Sequence, residues 1–260
     1  MSNFLFRYDT ADWGTFGFML LIAGALYYSE SSGRFQLAYG KFRQGGKLST
    51  RTAMLIIYTP ALIVYILGYM ANMGLNTVYT AYHILLLIAV AGHFLKRDLE
   101  VLFVHRYSRT MGWRTTLFIA LLYFLVAFIA HSEHQIKTPR LLGESLSGPA
   151  LYFGFTVYLI SQALNFYHHL ILRNLRKDPT DAGYRIPDRG LFRYVTCPHY
   201  LFEITAWAGI ALMSRSLAMW GVFWIMAGYL AGRSRQTYKW YREHVPDYPE
   251  NRRALIPGLL

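Results

Sequence analysis

The sequence predicts an all-α integral membrane protein with about seven transmembrane helices, the N-terminus outside and the C-terminus cytoplasmic. Three observations predict it. Hydrophobic residues make up 54% of the 260-residue chain and charged residues only 15%, where a soluble domain carries about 25% charged. Apolar runs recur along the whole chain, several of them close to the roughly 20 residues that cross a bilayer core as a helix. The basic residues, finally, sort into alternate gaps between those runs.

Taken in order, hydropathy places the runs at 13–29, 52–73, 77–95, 115–131, 148–171, 200–214 and 217–232. The fourth, sixth and seventh are short, which tilting or a locally thinner bilayer accommodates. The segment 96–114 is amphipathic and is expected to lie at the interface. Loop 30–51 carries Arg34, Lys41, Arg43, Lys47 and Arg51, and segment 96–114 carries Lys96, Arg97, Arg106, Arg109 and Arg114. Loop 172–198 carries Arg173, Arg176, Lys177, Arg185, Arg189 and Arg193, and the tail carries Arg233, Arg235, Lys239, Arg242, Arg252 and Arg253. These are 22 of the 26 basic residues; Arg7, Lys137, Arg140 and Arg215 occupy the other gaps. Lys and Arg mark cytoplasmic loops, so this asymmetry sets the orientation, and an odd number of spans satisfies it.

The net charge of +12 would suggest a nucleic-acid partner in a soluble protein. Here the charge belongs to interhelical loops, and no nucleic acid is expected. One cysteine, Cys197, excludes an intramolecular disulfide and a cysteine zinc cage. No repeat or composition break divides the chain, so 1–260 is expected to be a single polytopic membrane domain. There is no G-x-G-x-x-G and no G-x-x-x-x-G-K, so any nucleotide has to be held by side chains of the bundle.

Ionisable groups inside apolar runs are costly and usually face a cavity or a partner. Glu203 is the clearest case. His199, Glu203 and Trp207 share a helical face at i, i+4 spacing, and Tyr200 lies one turn before Glu203. This reads either as a site wall or as a headgroup-level belt of aromatic residues. Asn165, His169, Arg173 and Arg176 form a second stripe, graded from apolar run to basic loop. Arginine suits phosphate because its planar fork donates two hydrogen bonds; the plainer reading is a basic cluster ending a span. His83 and His93 in the third run read most simply as interhelical hydrogen-bond partners. His199 with Glu203 supplies two metal-ligand types without a third, so no metal is expected.

Three ordered blocks carry a resemblance: N-x6-L-R-x-L-R-K over 165–177, YRIPDRGLFRYVTCPHYLFEITAWAGIAL over 184–212, and KWYREHVPDYPENRRALIP over 239–257. They resemble the steroid 5α-reductase (3-oxo-5α-steroid 4-dehydrogenase) family, which implies a catalytic region over 150–260. HFLKRDLEVLFVHRYS, residues 93–108, looks like the trans-2-enoyl-CoA reductase branch, as does CPHY at 197–200. The resemblance implies NADPH-dependent reduction of a C=C bond conjugated to a carbonyl, with hydride added to the β-carbon and a proton to the α-carbon. The lipophilic substrate would be a 4-ene-3-oxo steroid or a trans-2-enoyl thioester. The setting would be a bacterial inner membrane or the endoplasmic reticulum, with membrane lipid around the bundle and the cofactor on the cytoplasmic side.

Carried over residue by residue, Asn165, Arg176, Tyr184, Arg185, His199, Trp207, Arg233 and Tyr241 are implied cofactor contacts. Tyr200 is the implied proton donor, with Glu203 and the cations Lys96 and Arg97 as catalytic partners. Arg106 stands where the animal steroid reductases imply a carbonyl-holding tyrosine. His169 replaces an aspartate, His199 an asparagine, and the second run, TAMLIIYTPALIVYILGYM, lacks the Gln-Glu pair of those enzymes. Two other classes stay open: a membrane methyltransferase of the isoprenylcysteine type, and a non-catalytic sterol- or lipid-binding homologue.

Overall fold

The computed structural model describes residues 8–34, 37–38, 42, 45–72, 80–107, 110–137, 148–175 and 185–259. Arg176 and Tyr184, both predicted cofactor contacts, lie outside the described residues, as does the start of the third apolar run. Among the described residues there are seven α-helices: α1 (Thr10–Ser32), α2 (Thr50–Asn72), α3 (Ala81–Leu99), α4 (Trp113–Ser132), α5 (Pro149–Asn174), α6 (Pro198–Ser214) and α7 (Leu217–His244). Each overlaps one apolar run. Two stretches, Thr50–Ala71 and Trp113–Gln135, are long and apolar enough to cross a bilayer, with mean hydropathies of 1.9 and 2.0.

Local chemistry sets the helix ends. Asp9 caps α1 by accepting the Asp12 N–H at 2.8 Å, satisfying one of the orphan donors of a first turn. Gly33, at φ +73°, ends the same helix in the left-handed conformation. Pro198 opens α6 where its missing N–H costs nothing. Ser216 starts α7 by accepting from Met219 N at 3.3 Å. The turn Glu100–Val104 prolongs α3 in a π-helical form, and Leu48–Ser49 pairs antiparallel with Thr110–Met111 in the fold's small two-stranded sheet. Segment 96–114 is therefore not one element. Its first residues belong to α3 and turn inward, the next form the π turn, Thr110–Met111 joins the sheet, and Trp113 and Arg114 open α4.

Helices pack as α1 on α7, α2 on α4 and α5 on α6, with α6 also touching α7 and α3. The α5–α6 contact is close because Gly154 and Gly209 face each other. A Cβ on either would lie 2.7 Å from the other's carbonyl oxygen, so only a hydrogen fits at both positions. This contact fixes α6, and with it Glu203, against Asn165. Large apolar side chains such as Phe18, Leu67, Leu121 and Phe153 point outward and are mostly exposed.

The C-terminal tail clamps the loop that leads into α6. Thr196 N donates to Arg253 O at 2.8 Å and Cys197 N to Ala254 O at 3.1 Å, while Arg253 N donates to Tyr194 O at 2.9 Å. The Thr196 and Tyr248 hydroxyls lie 2.8 Å apart. On the other side His168 pins the loop: Nε2 accepts from Leu191 N at 3.1 Å and Nδ1 donates to Leu164 O at 2.7 Å. Gly190, at φ +57°, makes this close approach possible, since a Cβ there would lie 2.9 Å from His168 Nε2.

Candidate active site

The end of α3, the middle of α5 and the start of α6 converge on one buried polar cluster. The last turns of α3 place His93, Lys96, Arg97 and Glu100 on a shared face, since three-, four- and seven-residue steps return to one side of a helix. Asn165, from α5, sits between them and α6. Lys96 Nζ donates to Asn165 Oδ1 at 2.6 Å. Asn165 Nδ2 donates to His199 O at 2.9 Å and to Glu203 Oε2 at 3.3 Å. The predicted residues Lys96, Asn165, His199 and Glu203 therefore meet, although Lys96 and Asn165 are 69 residues apart.

Glu100 is the hub of the α3 side. Its carboxylate lies 2.8 Å from Lys96 Nζ, 2.8 Å from Arg97 Nη1 and 3.0 Å from His169 Nδ1. Arg97 also donates to the Tyr58 hydroxyl at 3.0 Å. Burial alone would raise the Glu100 carboxyl, but His169 and then the Arg97 and Lys96 cations outweigh it and hold the group below the ordinary carboxylate range. His105 is pushed well down, by burial first and then by His169 and Arg97, so it is neutral at pH 7. Glu100, His105 and His169 bring three ligand-type atoms within 4.8 Å of one another. Two cations already rest on that carboxylate and oppose a third, so the donor set fits a resident divalent ion poorly.

The α6 side carries the aromatic residues. Trp207 is 1% exposed, and its ring centroid is 4.9 Å from that of His93. Tyr200 and His199 have ring centroids 4.3 Å apart. The indole Nε1 of Trp207 and Nδ1 of His199 are buried and find no hydrogen-bond partner among the described residues. Buried polar atoms left in this state cost free energy. Two of them beside a carboxylate–cation cluster are what a site awaiting a polar ligand presents.

The remaining predicted residues lie elsewhere. Arg185 Nη1 donates to Leu175 O, and Tyr241 OH donates to Arg185 O at 3.5 Å, so two predicted cofactor contacts adjoin at the end of α5. Arg233 is buried on α7 and donates from Nη1 to Glu30 Oε2 of α1 at 2.9 Å and to Leu37 O, in the chain beyond α1, at 2.9 Å. Arg106 is half-buried beyond the π turn, two residues after Val104. An apolar groove of about 560 Å³, lined by α2 residues including Leu55, Thr59 and Ile63 and by Phe124 of α4, shares no residue with the cluster and carries no ionisable side chain.

Sequence reasoning passed over Glu100 and Gln162, and took His93 as an interhelical hydrogen-bond partner, which it is, with Gln162 Nε2 2.7 Å from its Nδ1. The signal that ties Glu100 and His93 to the site is the spacing that places Lys96 and Arg97: 93, 96, 97 and 100 trace one stripe. Gln162 lies one turn before Asn165 on the buried face of α5.

Residues 114–260 match the family described as 3-oxo-5-alpha-steroid 4-dehydrogenase. A 3-oxo-5-alpha-steroid 4-dehydrogenase 1 of Bos taurus is 34% identical over 175 residues, which cover 65% of this chain and 65% of that protein. A probable very-long-chain enoyl-CoA reductase of Caenorhabditis elegans is 30% identical over 233 residues, 83% of this chain and 73% of the relative. A very-long-chain enoyl-CoA reductase of Dictyostelium discoideum is 29% identical over 229 residues, 83% of this chain and 72% of its own length.

Proposed function

This chain belongs to the 3-oxo-5-alpha-steroid 4-dehydrogenase family, and from that premise we propose that it is an NADPH-dependent reductase of a C=C bond conjugated to a carbonyl. The observation that carries the reading is the junction of α3, α5 and α6, where Lys96, Asn165 and Glu203 are hydrogen-bonded in series beside buried, unpartnered Trp207 Nε1 and His199 Nδ1. NADPH, when bound, supplies the hydride to the β-carbon. Asn165, His199 and Trp207 would hold its nicotinamide end, and Arg176, Tyr184, Arg185 and Tyr241 its phosphate and ribose parts. Arg233 stays in this set by family position, although Glu30 already neutralises it.

The chain's own residues then have to manage charge and a proton. As the β-carbon is reduced, negative charge builds on the carbonyl oxygen, and preorganised cations stabilise it best in a site that excludes water. Lys96 and Arg97 supply that charge, and Arg106 is the further cation beyond the π turn. Tyr200 delivers the proton to the α-carbon; a cation beside a phenol favours its phenolate and so its role as an acid. Glu203 fixes Asn165 and balances the cations.

Lys96 and Arg97 turn inward rather than outward to headgroups, where they can stabilise the enolate of either a trans-2-enoyl thioester or a 4-ene-3-oxo steroid. The methyltransferase alternative falls with the family assignment. We further propose that all seven helices span a membrane with the basic loops and the cofactor on the cytoplasmic side. Support comes from the sorting of 22 basic residues and from the outward-facing apolar side chains.

The test is NADPH absorbance with detergent-purified protein, given a trans-2-enoyl-CoA and, separately, a Δ4-3-ketosteroid. Turnover with either is expected. Tyr200→Phe and Glu203→Gln should each lower kcat by about a hundredfold. Binding of a sterol or acyl chain with no NADPH consumption would overturn the enzyme reading in favour of a non-catalytic homologue.

A further inference from the structure

Glu203 is hydrogen-bonded through Oε2 to Asn165. Its other oxygen faces a side chain that the catalytic reading leaves unused. His93 Nε2 lies 3.3 Å from Glu203 Oε1, close enough for electrostatic attraction although not aligned as a hydrogen bond. The ring is 0% exposed and is held on every side. Gln162 Nε2 is 2.7 Å from His93 Nδ1. With the amide N–H donating, Nδ1 accepts, and the ring proton is left on Nε2, facing the carboxylate. Trp207 and Phe94 pack on the ring with centroids 4.9 Å and 5.4 Å away.

We infer that His93 is a positioning residue for Glu203, oriented in its turn by Gln162; the inference rests on the reductase reading above. A hydrogen bond that merely ties α3 to α5 is complete with Gln162 and Nδ1. That bond leaves the ring proton on Nε2, but a mere tie between two helices does not require the proton to face a buried carboxylate, as it does here. A carboxylate, an imidazole and an amide from three helices, α6, α3 and α5, make a line in which each group fixes the rotamer of the one before. Glu203 then has one oxygen set by His93 and the other by Asn165, so it presents one geometry to the bound cofactor. Groups that orient a reacting group from behind govern rate because misplacement by about 1 Å can cost about a hundredfold. The sequence offers this only as two residues on separate runs, 69 positions apart.

The experiment is a double-mutant cycle on the full chain in detergent, read as kcat and KM for NADPH. His93→Phe keeps the ring volume without a donor, and His93→Gln restores one. His93→Phe should lower kcat by about tenfold or more while the wild-type Glu203 is present, and by less than about twofold in a Glu203→Gln background. His93→Gln should recover most of the loss. Gln162→Leu, which frees the ring without touching its contact to Glu203, should shift kcat in the same direction by less. Should His93→Phe fail to fold, His93→Gln and Gln162→Leu in the two backgrounds carry the same comparison. Equal losses with and without Glu203 would make His93 a packing residue and overturn the inference while leaving the reductase reading intact. A wild-type chain that neither binds nor oxidises NADPH would overturn both.

Discussion

The two ends of the helix bundle are polar in different ways. At the end where α3 begins and α6 finishes, the interhelical bonds come largely from hydroxyls. Tyr82 OH donates to Ser214 O at 3.1 Å, Tyr8 OH to Arg215 O at 2.8 Å, and Tyr65 OH lies 3.0 Å from His134 Nδ1. Two of these acceptors are the unpaired carbonyls that any helix leaves in its last turn. At the end where α3 finishes and α6 begins, the same kind of stitching is done by Glu100, Glu203, Lys96 and Arg97. Buried charge is an expensive way to join helices, because desolvation takes back most of the attraction. The hydroxyl end joins helices mainly through neutral donors, with the Glu133 carboxylate accepting from Ser216 Oγ at 2.6 Å, whereas the other end gathers two carboxylates and two cations. The charged end therefore needs a reason other than assembly, and a reaction that builds and discharges negative charge supplies one.

The largest predicted effect sharpens this contrast with a third case. The Glu30–Arg233 pair is charged and buried, with both side chains 2% exposed, but it is closed on itself and joins α1 to α7. Removing one partner of such a pair costs about 3–5 kcal/mol because the other charge is stranded. Arg233→Met should lower the melting temperature in detergent steeply, and the double replacement Glu30→Met, Arg233→Met should recover most of it. A variant that keeps its stability and instead loses NADPH affinity would make the cofactor, rather than the ion pair, the main role of Arg233.

A smaller effect is expected from acid. Folded Glu100 titrates below its unfolded value of about 4.3, and folded His105 below about 6.5. Both groups take up protons more readily when unfolded. Their contributions are fully present above those values and are lost as pH falls. Stability of the charged end should decline in two stages, first below about pH 6.5 and again below about pH 4.3. His105→Gln should reduce the first stage and Glu100→Gln the second, read as melting temperature against pH. A profile flat from pH 7 to 4 in the wild type would contradict the environment assigned to both groups.

How much of this was legible beforehand follows from the range of each interaction. The seven runs were readable because hydropathy is local, and α1–α7 fall on them. The Glu203 face was readable because i, i+4 spacing is local too. The charges of 96–97 were open for the same reason. They sit beside an apolar run, where the local rule allows either a site or the interface, and only the arrival of Asn165 and Tyr58 from other helices shows that Lys96 and Arg97 turn inward. His93 read as an interhelical hydrogen-bond partner, which the Gln162 contact bears out; its approach to Glu203 was not readable because that residue comes from a third helix, α6. The partner of Arg233 was not readable because Glu30 lies 203 residues away. Charge type was visible in the sequence; the partner that neutralises each charge was not.

The smallest predicted effect tests the hydroxyl end directly. Tyr65→Phe deletes one hydroxyl that lies 3.0 Å from His134 Nδ1 and 3.4 Å from Leu86 O, while the ring keeps its place in a site that is 1% exposed. A typical intramolecular hydrogen bond contributes about 1 kcal/mol, so the melting temperature should fall by a few degrees. Turnover should stay within about twofold of wild type, because no charged group of the other end depends on this hydroxyl. If kcat instead fell as far as it does in Glu203→Gln, the two ends would be one functional unit. The argument that buried charge marks the reacting end would then lose its control.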